Sequence, residues 1–172
     1  VYKRQELADV RDNISELNEK IQALDADYSI LAPFKTLNYT LKGIYDMEFF
    51  KYRFGKIPRT NFDKFESYLD PDMNAIFIST LIESEYVYGV FFAPTEYFDE
   101  VEKDFRNIHF DDIAIPKKYK DFPNSECINI AKKKAELEEE IKSLEAQINE
   151  IIEKNKVRLV SAIRRIETAY SN

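Results

Sequence analysis

Residues 49–69 read FFKYRFGKIPRTNFDKFESYL, and within them the spacing of the apolar residues changes from strand-like to helical. Up to Phe54, Phe50, Tyr52 and Phe54 alternate with Phe49, Lys51 and Arg53, which predicts a strand over Glu48–Phe54. Beyond Pro58, which opens the next element, Phe62, Phe65 and Leu69 share one helical face. Asp70, Pro71 and Asp72 then end that helix. Between strand and helix stands Gly55, one of three glycines in 172 residues. A phosphate-binding loop would need further glycines and a Lys-Ser/Thr pair, and a dinucleotide fold would need three close glycines. Neither pattern is present. Gly55 therefore reads as a corner, a bulge or close backbone approach where the strand bends into the helix, and Gly89 reads the same way.

Working outward, a short helix is expected around Leu37–Tyr45. Downstream, Ala75–Thr80 predicts a second strand, Leu81–Ser84 a turn and Glu85–Phe92 a third strand. Pro94 and Thr95 start a helix with Phe98, Val101 and Phe105 inward, and Ile108–Ile115 predicts a fourth strand ended by Pro116. The order βαββαβ is that of the split-βαβ, or ferredoxin-like, arrangement, a four-stranded antiparallel sheet with both helices on one face. At roughly 65 residues such a sandwich buries barely enough apolar surface to be stable. Thirteen phenylalanines and eleven tyrosines, mostly in this section, offset that shortage. Large side chains also occupy the second sheet face, so the short helix near Leu41, the flanking helices or a partner must cover it.

Both flanks are helical. Leu7, Val10, Ile14, Leu17, Ile21, Leu24, Tyr28 and Leu31 follow at steps of three and four, and Pro33 closes the run. Ile130, Lys134, Leu137, Ile141, Leu144, Ile148, Ile151, Asn155, Arg158, Ala162, Ile166 and Ala169 repeat the pattern. Asn124 or Ser125 is the expected N-cap of a helix roughly 70 Å long. The two stripes predict an antiparallel coiled coil with Leu31 near Ile130 and Leu7 near Ile151 or Ile152. Its seam is Leu7, Val10, Ile14, Leu17, Ile21, Leu24, Leu31, Ile130, Leu137, Ile141, Leu144, Ile148 and Ile151. The last 18 or so residues have no partner in this pairing. The expected fold class is α+β: a small ferredoxin-like lobe over 33–122 at the tip of a two-helix coiled coil formed by an outgoing arm, 1–32, and a returning arm, 123–172. A chain that begins and ends inside helical patterns reads as a piece of a longer protein.

A net charge of −7 disfavours nucleic acid and anionic membranes as partners. The Lys117, Lys118 and Lys120 cluster reads as a solvated loop. A single cysteine, Cys127, excludes an internal disulfide and a cysteine-based zinc site, and it suits a reducing compartment such as the cytoplasm. His109, at the start of the predicted fourth strand, has no serine, cysteine or second histidine beside it and reads as a packed strand residue rather than a base. Asp111 and Asp112 point to opposite faces of that strand, and Glu138, Glu139 and Glu140 splay around a helix. No catalytic, cofactor or metal residue is predicted.

Three segments together resemble a known family: FFKYRFGKIPRTNFDKFESYL with its Gly55-Lys56-Ile57-Pro58, EYVYGVFFAPTEYFDEVEKDF over 85–105, and FDDIAIP over 110–116. They are similar to the cytoplasmic part of subunit I of bacterial and archaeal V-type (A-type) ATPases and ATP synthases, related to eukaryotic subunit a. The likeness spans nearly the whole chain, and the long flanking helices look like that family's coiled coil.

The resemblance implies a soluble half with two α/β lobes joined by coiled coil, which holds the peripheral stalks of a rotary pump on the cytoplasmic side of the membrane. It also implies a separate membrane half with an essential arginine, to which no residue here corresponds. This chain then looks like one lobe, the distal one, with its two helices: a non-catalytic stator piece without cofactors. Its implied partners are helical stalk subunits of the E/G type and other ATPase subunits. It would meet the membrane only through the half that is not in this chain. The stalk-facing surface is expected around Lys51, Tyr52 and Arg53, with Tyr86 and Tyr88 in a tyrosine-rich patch. The competing reading is a regulatory module of the amino-acid-sensing type on a coiled coil, although GKIPRTN only half resembles the glycine-rich turn of such domains. A free-standing coiled-coil adaptor is a third.

Overall fold

A computed structural model describes residues 2–67 and 74–170. The predicted helix end at Leu69, Asp70, Pro71 and Asp72 lies outside the described residues. Two compact units are present: residues 25–131, and residues 1–24 with 132–172.

In chain order the elements are α1 (Tyr2–Leu31), a 3₁₀ turn (Ala32–Phe34), α2 (Leu41–Tyr45), β1 (Phe50–Pro58), α3 (Arg59–Ser67), β2 (Ile76–Ile82), β3 (Tyr86–Pro94), α4 (Phe98–Asn107), β4 (Asp111–Asp112) and α5 (Pro123–Tyr170). The predicted start of α5 is corrected: Pro123 is its first residue, so Asn124 and Ser125 lie inside the helix. Proline suits that first position because its missing N–H would have had no intrahelical acceptor.

In the 25–131 unit the sheet runs β2-β3-β1-β4 with every pair antiparallel. On one face Phe91 stacks on Phe105, with centroids 4.0 Å apart and planes 5° from parallel, and it takes Phe110 edge-on at 4.9 Å. Ile57, Phe65, Ala93, Phe98 and Val101 complete this core. Phe98, Val101 and Phe105, the predicted inner face of α4, are all buried.

The second face is covered from within the unit. Phe34 is fully buried and sits edge-on to Phe54 at 5.1 Å and to Tyr88 at 6.5 Å, while Leu41 and Ile44 of α2 are buried beside it. A register shift between Ser79 and Leu81 marks a bulge at Thr80. There the Thr80 hydroxyl donates to the Pro33 carbonyl at 2.8 Å, and the Thr80 carbonyl accepts from the Thr36 hydroxyl at 2.7 Å. The bulge thus breaks the ladder where it ties the sheet to the cover. Thr40 caps α2 by accepting from the Gly43 N–H at 3.1 Å. The first N–H groups of that helix, at Leu41 and Lys42, donate to the carbonyls of Asp121 and Lys120 at 3.1 and 2.9 Å. Two donors that a one-turn helix leaves open are satisfied in this way.

Several sequence expectations are corrected: β2 runs to Ile82, into the expected turn, and α4 starts at Phe98 and not at Pro94, which ends β3. β1 does not end at Phe54: it runs through Gly55 to Pro58, and all nine residues pair with β3, Gly55 opposite Gly89. Gly55 is therefore not a corner. A Cβ there would lie 2.2 Å from the Asp111 carbonyl oxygen and 2.6 Å from the Phe110 ring, so the close-approach half of the expectation is the correct one. The fourth strand is not Ile108–Ile115 but Asp111–Asp112, extended by one bond from the Ile113 N–H to the Phe54 carbonyl.

His109, finally, is not a strand residue. With φ at 64° it follows α4 as a left-handed cap. Its N–H donates to Arg106 O, and the Phe110 N–H donates to Phe105 O. This is the Schellman pattern, which closes the helix and folds Phe110 back against Phe105.

In the other unit the protected positions of α1 and α5 recur at steps of three and four. Val10, Leu17 and Ile141 are buried, and Leu7, Ile14, Ile21, Leu24, Leu137, Leu144, Ile148 and Ile151 are half-buried. From Ile152 to Tyr170 every residue is exposed. Among the described residues no helix is long and apolar enough to cross a membrane.

Candidate functional site

Strand alternation divides the predicted contact residues between the two sheet faces. Lys51 and Arg53 lie on the α4 side, their cationic groups 5.7 and 4.9 Å from the centre of the Phe98 ring. Arg53 also stands 3.9 Å from Glu102 and donates to the Tyr52 carbonyl at 3.0 Å. Tyr52 lies on the other face, half-buried between Tyr45 and Phe54. Tyr86 and Tyr88 share that face but pair with the far end of β1, opposite Pro58 and Lys56. Lys56 covers the Tyr86 ring at 4.3 Å, and Tyr88 is packed on Phe34. The tyrosines are therefore partly walled off rather than forming one open patch.

Two features of this surface escaped the sequence. An open apolar groove of 460 Å³ lies between α2 and the sheet, where Tyr39, Phe50 and Ile76 are exposed along its rim and Ile44, Ile78 and Phe92 line it. A second groove, of 480 Å³, follows the edge of β1 between Phe50–Phe54 and the segment 112–117. Continuous apolar runs such as FF over 49–50 mark exposed aromatics only once the cover of each face is known.

Of the polar side chains near the sheet, several are engaged in ion pairs and hydrogen bonds. Asp112 accepts from Arg106 at 3.1 Å, and Arg106 reaches Glu102 at 2.6 Å. Lys118 pairs with Asp27 at 3.1 Å, and the Tyr119 hydroxyl donates to the same carboxylate. Burial and that donation push the Tyr119 pKa up. Burial likewise pushes the Cys127 thiol up, which leaves it a packed side chain rather than a nucleophile. Among the described residues no group of three or more His, Cys, Asp or Glu is placed to hold a metal.

Among the described residues Tyr45 is the exception to good pairing. Its hydroxyl is buried without a hydrogen-bond partner, and burial, with Tyr52 nearby, pushes its pKa up to about 12. Tyr45→Phe should stabilise the unit by about 1 kcal/mol, because it removes an unsatisfied polar group. Because burial penalises the ionised form, the folded pKa lies above the unfolded value near 10, so between pH 10 and 12 the folded unit holds a proton that the unfolded chain has lost, and stability falls as pH rises through that window. The urea midpoint should therefore fall between pH 10 and 12. Because Tyr52 and Tyr119 shift in the same direction, the fall should be shallower in Tyr45→Phe but still present.

An antiparallel α+β unit set in sequence between two long helices, with its open features on the sheet, defines a class by fold. The fold is similar to that of a solved structure, the cytoplasmic N-terminal domain of subunit I, homolog of subunit a, of V-ATPase. The likeness has a TM-score of 0.56 and covers 94% of this chain at 7% identity. This chain spans about half of that structure, 54% of its length. No family model matches the sequence, and no curated protein matches it.

Proposed function

We propose that the chain is a non-catalytic piece of the stator of a rotary V-type ATPase or ATP synthase. In this reading it is one ferredoxin-like lobe of subunit I, the distal one, on the cytoplasmic side, with α1 and α5 paired as an antiparallel coiled coil. The observation behind this is the likeness of fold over 94% of the chain. The three-and-four spacing of protected residues in α1 and α5 supports the coiled coil. A paired helix is a stiff element suited to resisting torque, and the lobe offers a surface to the helical pair of a peripheral stalk.

Affinity purification of the tagged parent protein from its own cells tests the assignment. The catalytic and stalk subunits of the rotary ATPase should co-purify, and their absence would refute it. In this reading the stalk surface lies around Lys51 and Arg53 on the α4 face of the sheet, with Tyr52 flanking it on the other face. Lys51→Glu with Arg53→Glu should weaken binding of the stalk helical pair about tenfold in a titration, and an unchanged affinity would exclude this surface.

A further inference from the structure

β1 is open along half of one edge. Its nine residues all pair with β3, whereas β4 reaches only Gly55 and Lys56, with one further bond from Ile113 to Phe54. Backbone direction alternates along the strand. Phe49 O accepts from Thr95 on the β3 side and Phe54 O accepts from Ile113 on the β4 side, so Phe50 and Tyr52 direct their N–H and C=O groups towards the open edge. There the Arg53 guanidinium donates to the Tyr52 carbonyl, a side chain in the position a strand's N–H would take. The 480 Å³ groove runs along this edge, and past Asp112 the chain draws away from β1 and leaves its far wall.

The charge around the edge selects the occupant. Lys51, Arg53 and Lys117 line the groove against one carboxylate, Asp112, which Arg106 already engages. Glu102, 3.9 Å from Arg53, stands outside the lining and leaves Lys51 and Lys117 without an acidic partner there among the described residues. Edge-to-edge pairing with a second copy would bring Lys51 and Arg53 against their own kind, and like charges directly opposite destabilise a sheet. We propose that the open edge of β1 takes an extended, acidic segment of a partner protein by strand addition. Acidic residues would face Lys51 and Arg53, and apolar residues would alternate with them towards Phe50 and Tyr52. The occupant is distinct from the helical stalk pair proposed above, so this inference stands or falls independently of the rotary-pump assignment.

The test uses a blocked peptide of about ten residues alternating Val and Glu, titrated into the isotopically labelled chain and followed by NMR. Binding should slow amide exchange at Phe50 and Tyr52. N-methylation of the peptide at alternate residues should weaken it about tenfold or more, because a strand that cannot donate cannot extend the ladder. Lys51→Glu with Lys117→Glu should reverse the preference towards a Val-Lys peptide. No binding, protection at other residues, or an affinity indifferent to N-methylation, as for a helix in an apolar groove, would each overturn the proposal. Self-association of the chain through the same amides without peptide would overturn it in favour of a second copy.

Discussion

Phe105→Ala should cost the 25–131 unit about 3–5 kcal/mol, a large fraction of the roughly 5–15 kcal/mol that a folded domain has. Phe105 is 1% exposed and meets four other rings: Phe91 stacked at 4.0 Å, Phe65 at 5.2 Å, Phe110 at 5.7 Å and Phe77 at 6.0 Å. It joins α4 to the sheet through Phe91 and to the helix cap through Phe110. Alanine would leave a ring-sized void among other rings, which are too rigid to close it. The apolar contact that accompanies the cap after His109 would be lost as well. Near-UV circular dichroism reports this unit, since every aromatic residue except Tyr2 and Tyr170 lies within 25–131. The urea midpoint should drop steeply, whereas Phe49→Ala, at a ring 75% exposed, should change stability by less than about 0.5 kcal/mol. Equal effects of the two substitutions would contradict this core.

The elements that local signals specify were legible in the sequence. Helix α1 stops ahead of Pro33, the inner face of α4 is the predicted one, and strands and helices alternate in the predicted order. The expectations failed where a partner in space decides. β1 passes through Gly55 because β3 supplies Gly89 opposite and pairs every residue, and no local signal carries that information. The alternation over Ile108–Ile115 imitated a strand for a different reason. Phe110 is buried by the helix cap, and Ile115 is buried beyond the point where the chain leaves β1. No local signal marks Phe34 as a core residue, because nothing near it in sequence shows that Thr80, forty-six positions on, anchors its turn to the sheet. The separation of Lys51 and Arg53 from Tyr52 by face was present in the alternation itself. The groove beside them was not, since it exists only because β4 is short.

Gly55→Val should be the most damaging single change on the sheet, at about 3 kcal/mol or more, the upper end of what overpacking costs. The reason is contact and not backbone conformation, since no glycine among the described residues has positive φ. Each of the paired glycines lies under an aromatic ring. A Cβ at Gly55 would meet Phe110 at 2.6 Å and the Asp111 carbonyl at 2.2 Å, and one at Gly89 would meet Phe77 at 2.6 Å and the Ile78 carbonyl at 2.3 Å. The rings take the space that side chains would otherwise fill, as aromatic residues do over glycine in strands. At Gly43 a Cβ would meet only the Thr40 hydroxyl at 3.0 Å, so Gly43→Ala serves as a mild control. Two contacts act at Gly55, and they separate experimentally. Phe110→Leu in the Gly55→Ala background relieves the ring clash but leaves the carbonyl clash, so the pair should recover only part of the loss. Amide exchange at Lys56 and Ile113 should quicken in Gly55→Val as β4 is forced off the edge. A Gly55→Ala protein within about 0.5 kcal/mol of the parent would mean that no close approach exists there.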